Sequence, residues 1–168
     1  AMGLTGIFLI ISYGVLEGKP LLGIVNLFPI VIAIAFLLGT MRALGLSLNA
    51  LTATILSISI GLGIAYSVHA THRFIDEYNE NGDALKSMVI TFSGTGGALL
   101  GSMLTTSLGT GALALAITPV LGDFGLLMAL SVIYSFIFTV VALPPAVLLW
   151  ERYQGVWSAV GFSPVSSR

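Results

Sequence analysis

The chain has 168 residues, 57% of them hydrophobic and 8% charged, with a net charge of −1 and a mean hydropathy of +1.06. A soluble domain carries charge on about a quarter of its residues, so this composition excludes an ordinary water-soluble fold. There is no basic stripe for nucleic acid and no cysteine for disulfide or thiol chemistry.

The few charges leave uncharged runs at Pro20–Met41, Ala43–His72, Ser87–Gly122 and Phe124–Trp150. Each meets the length of about 18 residues or more needed to span a bilayer as a helix. The pattern predicts an all-α integral membrane protein with five helices, near 3–16, 20–43, 49–76, 86–116 and 122–150. The bundle is assigned to 1–153 and a cytoplasmic tail to 154–168. The first run, Ala1–Leu16, is short, and it lacks the positive start and small-residue cleavage site of a signal peptide. Ala1-Met2-Gly3 reads as a cloning scar, so the natural chain is expected to begin upstream, with Leu4–Leu16 the remnant of a longer span.

"EGK" (17–19) forms the first turn, and Pro20 suits the start of the helix after it. "GLSLN" (45–49) is the second turn, with Asn49 placed to cap the third helix. "NENGD" (79–83) is the third and "ITPVLGD" (117–123) the fourth. The run 87–122 is long for one crossing and short for two. Read as one, it puts Lys19, Arg73, Lys86, Arg152 and Arg168 on one side and Arg42 on the other. That asymmetry places the N-terminus outside and the C-terminus in the cytoplasm of a cell membrane.

Within the third helix, Gly61, Ala65, His69 and His72 recur at spacings of four, four and three, so they share one face, with Tyr66 beside it. Asp76 marks the inner surface, and Ala65 then lies about 16 Å deeper, near mid-membrane. A histidine at such depth usually faces a bundle interior or a water cavity, which makes His69 a candidate proton carrier. The bland alternative is that both histidines sit near the interface and are solvated there. No carboxylate or thiol within a span joins the two histidines, so neither a metal site nor any other cofactor is expected.

The fourth helix is built from small residues. Gly97, Gly101, Thr105 and Gly109 repeat every fourth position, which predicts close helix packing at Gly97, Gly101 and Gly109. Thr105 and Thr106 are candidates to line a proton or water path, unless each hydroxyl bonds to the carbonyl one turn back. Pro29 and Pro144-Pro145 predict kinks. Trp150, Tyr153 and Trp157 predict an aromatic belt at the inner interface.

Several stretches resemble one family: "NLFPIVIAIAFLLGTMRALGLSLNALTATILSISIGLGIAYSVHATHRFIDEY", "TGGALLGSMLTTSLGTGALAL", "FGLLMALSV" and "LPPAVLLWERY". Over residues 20 to 153 or so they look like RND-superfamily transporters, most of all the MMPL-type exporters of hydrophobic and lipidic compounds, particularly archaeal forms. The resemblance implies half of an RND membrane domain, its second to sixth helices, with "NLFPI" and "LPPA" closer to the C-terminal half. It further implies proton-driven export of a hydrophobic or amphiphilic substrate, with no covalent chemistry, and a partner that is either the missing half or a second copy of this chain. The family's coupling pair is an Asp-Tyr in the helix matching 49–76, and here that pair reads Ala65-Tyr66. Tyr66 carries over and the acid does not. Tyrosine titrates near 10 and is a poor carrier at neutral pH. Either the other half supplies the acid against Tyr66, or His69 has taken over the titration. The lost acid also fits other readings: a sterol-sensing-like bundle that binds membrane lipid without pumping, or an inactive half that supports an active one.

Overall fold

The computed structural model describes residues 2–16, 20–46 and 50–159. These form five α-helices in order: α1 (Met2–Leu16), α2 (Pro20–Ala43), α3 (Ala50–Asn81), α4 (Ala84–Gly111) and α5 (Pro119–Ala159). A single 3-10 turn, Ala112–Leu115, extends α4. From Leu22 onward, four helices are long and apolar enough to cross a membrane, and α1 is shorter. The turn expected at 17–19, the cap expected from Asn49, and the side chains of Arg152, Tyr153, Trp157 and Arg168 lie outside the described residues.

Local chemistry explains where the helices end. α2 stops at Gly45, whose φ of 71° is open to glycine, and the Leu46 N–H reaches back to the Met41 carbonyl at 2.9 Å. α3 continues to Asn81, beyond the expected end at 76, because its last turns are tied together. Arg73 pairs with Glu77 at 2.6 Å, and the Asn81 amide donates to the Glu77 main-chain carbonyl at 3.0 Å. Gly82, at φ 65°, then breaks the helix, and Asp83 caps α4 by accepting from the Lys86 N–H at 3.1 Å. α4 and its 3-10 turn run unbroken over most of the 87–122 stretch. α5 passes through Pro144 and Pro145 and includes 154–159, which the sequence assigned to a tail.

α5 packs against α2, α3 and α4, and α1 packs against α2. On α2 the buried residues Leu22, Asn26, Ile30, Ala33, Leu37 and Met41 recur every third or fourth position. Its other face leaves Ile24, Phe28, Val31 and Phe36 exposed, as suits a helix whose solvent is lipid. A seam of small residues is made by α3. Ser59, Gly63, Ser67 and Thr71 are all buried and spaced by four, and on α5 the buried Ser131, Ser135 and Thr139 repeat in the same way. A Cβ on Gly63 would stand 3.0 Å from the Ser135 hydroxyl and 3.4 Å from Ile30, so α3 sits in the angle between α2 and α5.

The glycines of the α4 repeat make no close contact inside the chain. At Gly97, Gly101 and Gly109 a Cβ would meet nothing within 4 Å. α4 turns Met88, Leu99, Met103 and Ser107 inward instead, so its glycine stripe faces out of the chain. Close backbone approach falls on glycines that the spacing did not single out. A Cβ on Gly23 would come within 2.8 Å of the α1 backbone, and one on Gly125 within 2.6 Å of Leu113 and the Thr110 carbonyl.

Gly23→Ala and Gly125→Ala are therefore expected to destabilise the chain by about 1–3 kcal/mol through overpacking. Gly97→Ala and Gly101→Ala should stay within about 0.5 kcal/mol of the parent. Thermal unfolding in detergent measures all four, and equal losses across them would contradict this packing.

Candidate functional site

Residues from two helices line a half-open cleft of about 450 Å³ between α3 and α4. From α3 come Leu62, Ala65, Tyr66, His69 and Arg73, and from α4 come Thr95, Ala98, Leu99, Ser102 and Thr106. Leu62, Ala65, His69 and Arg73 fall three or four apart with Tyr66 beside them, so one face of α3 forms a wall. Antiparallel α4 supplies the opposite wall, its hydroxyls at Thr95, Ser102 and Thr106 set among small apolar residues.

Four of the five candidate relay positions thus meet in one place: Ala65, Tyr66, His69 and Thr106. Ala65 and His69 are exposed to the cleft, whereas Tyr66 is 6% exposed. The Tyr66 ring is held edge-on against Phe136 of α5, with centroids 6.2 Å apart and planes at 79°. The ring thus packs against α5 while Tyr66 also borders the cleft.

Thr105 is turned away. Its hydroxyl donates to the Gly101 carbonyl at 2.8 Å, the local bond expected of a threonine inside a membrane helix. His72 also leaves the predicted face. It stacks on Tyr13 of α1, with ring centroids 5.4 Å apart and planes at 24°, so its surroundings are aromatic rather than a water path. Gly61 faces open space.

The sequence reading missed Arg73, Thr95 and Ser102 as members of the site. Arg73 lies one turn beyond His69 and Ser102 one turn before Thr106, so the same spacing argument reaches both. Arg73 brings a guanidinium to the charged end of the cleft, where Glu77 already pairs with it. No carboxylate is among the lining residues. Among the described residues no three His, Cys, Asp or Glu side chains converge to hold a metal.

Behind α3 lies a polar cluster that the sequence did not announce. Asn26 of α2 is fully buried, as are Ser67 and Thr71. The Thr71 hydroxyl donates to the Asn26 side-chain oxygen at 2.8 Å, and the Ser67 hydroxyl reaches that same oxygen as well as the Asn26 main-chain carbonyl at 3.0 Å. The Asn26 amide nitrogen donates to the Leu22 carbonyl at 2.9 Å.

A second cavity differs in kind. Between α2 and α5, Val25, Phe28, Val31, Ala142, Pro145 and Leu149 help to line an open groove of about 510 Å³ whose lining residues are all apolar. It lies on the face of α2 opposite Asn26 and away from the α3–α4 cleft.

A sequence model of the MMPL family matches residues 6–160. A protein of Methanocaldococcus jannaschii, whose name says only that it is a membrane protein, is 32% identical over 152 residues. That match covers 90% of this chain and 39% of the relative, so the chain spans about two fifths of the length of the relative it matches. No solved structure matches the chain.

The chain has no native cysteine, so single cysteines report exposure directly. Cysteines replacing Ser102 and Thr106 are expected to react with a small maleimide about tenfold faster than cysteines replacing Met103 and Ser107. Equal rates at the four positions would mean that α4 presents a different face to the cleft.

Proposed function

The chain belongs to the MMPL family, and from that premise we propose that it is the membrane part of a proton-driven exporter of hydrophobic or amphiphilic molecules, incomplete by itself. The observation that carries this reading is the α3–α4 cleft. It gathers Ala65, Tyr66, His69 and Thr106 on one wall-to-wall surface and is open on one side. An imidazole, a phenol and three hydroxyls at membrane depth are costly, and they favour a path for protons or water over simple packing.

In this reading the open side is closed by another membrane bundle. Two features support it. The cleft is lined by His69 and the hydroxyls of Tyr66, Ser102 and Thr106 but by no carboxylate, so an acid brought by the partner would meet hydrogen-bonding groups there. Beside the cleft, the outward glycine stripe of α4 (Gly97, Gly101, Gly109) leaves room for close approach of a neighbouring helix. The partner is the other half of the transporter, which supplies the acid that position 65 lacks. A second copy of this chain would close the cleft without bringing one.

Tyr66 then serves as hydrogen-bond partner to that acid, and the proton is carried by the acid. The cationic asymmetry of the sequence sets the 82–83 turn and the C-terminus in the cytoplasm. Substrate is chosen mainly outside this chain, and no covalent bond is made or broken in it.

The α2–α5 groove favours one other reading. Its apolar lining and lipid-facing position suit an acyl chain or sterol, as a lipid-binding bundle without pumping would need.

Proton-driven efflux by the full-length protein in proteoliposomes separates these readings. Tyr66→Phe is expected to lower pH-gradient-driven efflux by about tenfold or more, the scale on which relay residues act. His69→Ala should leave most of it. The reverse pattern would assign the titration to His69. No effect from either variant would take the coupling role away from this cleft, and a parent protein without pH-gradient-driven efflux would sink the exporter reading and leave the lipid-binding one.

A further inference from the structure

We propose that Asn26 is a positioning residue that sets the rotation of α3 about its own axis, and so aims Ala65, Tyr66 and His69 at α4. Ser67 and Thr71 are each two residues from His69. At about 100° per residue, each lies about 160° around the helix from it. The Asn26 cluster therefore grips α3 on the side opposite the cleft, at the level of the cleft residues.

The grip is directional. One side-chain oxygen accepts hydroxyl hydrogen bonds from both Ser67 and Thr71, which uses both of its lone pairs. A rotation of α3 by one residue would pull both hydroxyls away together. Apolar contacts impose no such limit, because lipid tails are as apolar as the side chains they would replace. Three other α3 hydroxyls, those of Thr54, Ser57 and Ser59, bond to carbonyls of their own helix and tether α3 to nothing. Asn26 is itself held, since its amide nitrogen is committed to the Leu22 carbonyl. The cluster also joins α2 to α3 through side-chain hydrogen bonds.

The inference draws its functional meaning from the coupling-cleft reading, but its test reads geometry alone. Single cysteines are placed at Ala65, on the cleft, and at Ala70, 1% exposed on the buried side. A third replaces Val132, fully buried in α5, as a control. Maleimide labelling is compared in the parent chain, Asn26→Leu and Asn26→Asp. In the parent, position 65 should label at least about tenfold faster than position 70. Asn26→Leu should bring that ratio near unity while position 132 stays protected. Asn26→Asp as the neutral acid keeps both the acceptor oxygen and a donor toward the Leu22 carbonyl, so labelling below the range in which carboxylates ionise should keep the parent ratio. If Asn26→Leu does not fold, Asn26→Ser, with a single shorter acceptor, is read the same way.

Two results would overturn the proposal: a lower melting temperature with an unchanged 65-to-70 ratio, or position 132 opening as far as position 70. A shifted ratio with proton-driven efflux of the full-length protein intact would support the positioning role and remove the coupling-cleft reading.

Discussion

The Asn26 side chain, buried in apolar surroundings between α2 and α3, is the constraint on which the rest of the bundle depends. In a bilayer the hydrophobic effect does not hold helices together, because lipid is as good a solvent for leucine as another helix is. Association rests on close contact and on buried hydrogen bonds. α3 has both, on adjoining parts of the same side: Gly63 lies against Ser135 and Ile30, and Ser67 and Thr71 lie against Asn26. An unpaired hydroxyl in that setting costs about 1–3 kcal/mol, so the cluster is far more stable complete than with one member removed.

With its back fixed, α3 can leave its front unfinished. The cleft side carries Ala65 and His69 across an open gap from α4, which adds hydroxyls and an outward glycine stripe rather than bulk. The proposed partner would cover this side, where polar groups face outward beside small residues. The α2–α5 groove is lined by apolar groups alone, and lipid satisfies it.

Much of this was legible from spacing. Long uncharged runs gave the helices, because a spanning helix must satisfy its own backbone and therefore needs length. The four-residue rhythm through Ala65 and His69 put these positions on one wall, and Thr106 fell on the facing one. The rhythm could not say where that wall ended, so His72, which turns to Tyr13, was grouped with it while Arg73 was not. Small residues every fourth position occur on α3, α4 and α5 alike. The pattern marks a surface capable of close approach but not the surface it meets, so spacing alone could not say that Gly97, Gly101 and Gly109 face out of the chain while Gly63 meets Ser135. Asn26 was hidden for a different reason. A lone amide in an apolar helix has no period, and its role depends on hydroxyls more than forty positions away in the chain.

The central claim is that the α3–α4 cleft is closed by a second membrane bundle carrying the acid that position 65 lacks. A photo-crosslinking amino acid at position 65 of the full-length protein, activated in native membranes and mapped by peptide mass spectrometry, tests it directly. The account predicts an adduct with a membrane-spanning peptide outside these 168 residues that contains Asp or Glu. Adducts to lipid alone, or to this chain's own α3 and α4 from a second copy, would contradict it.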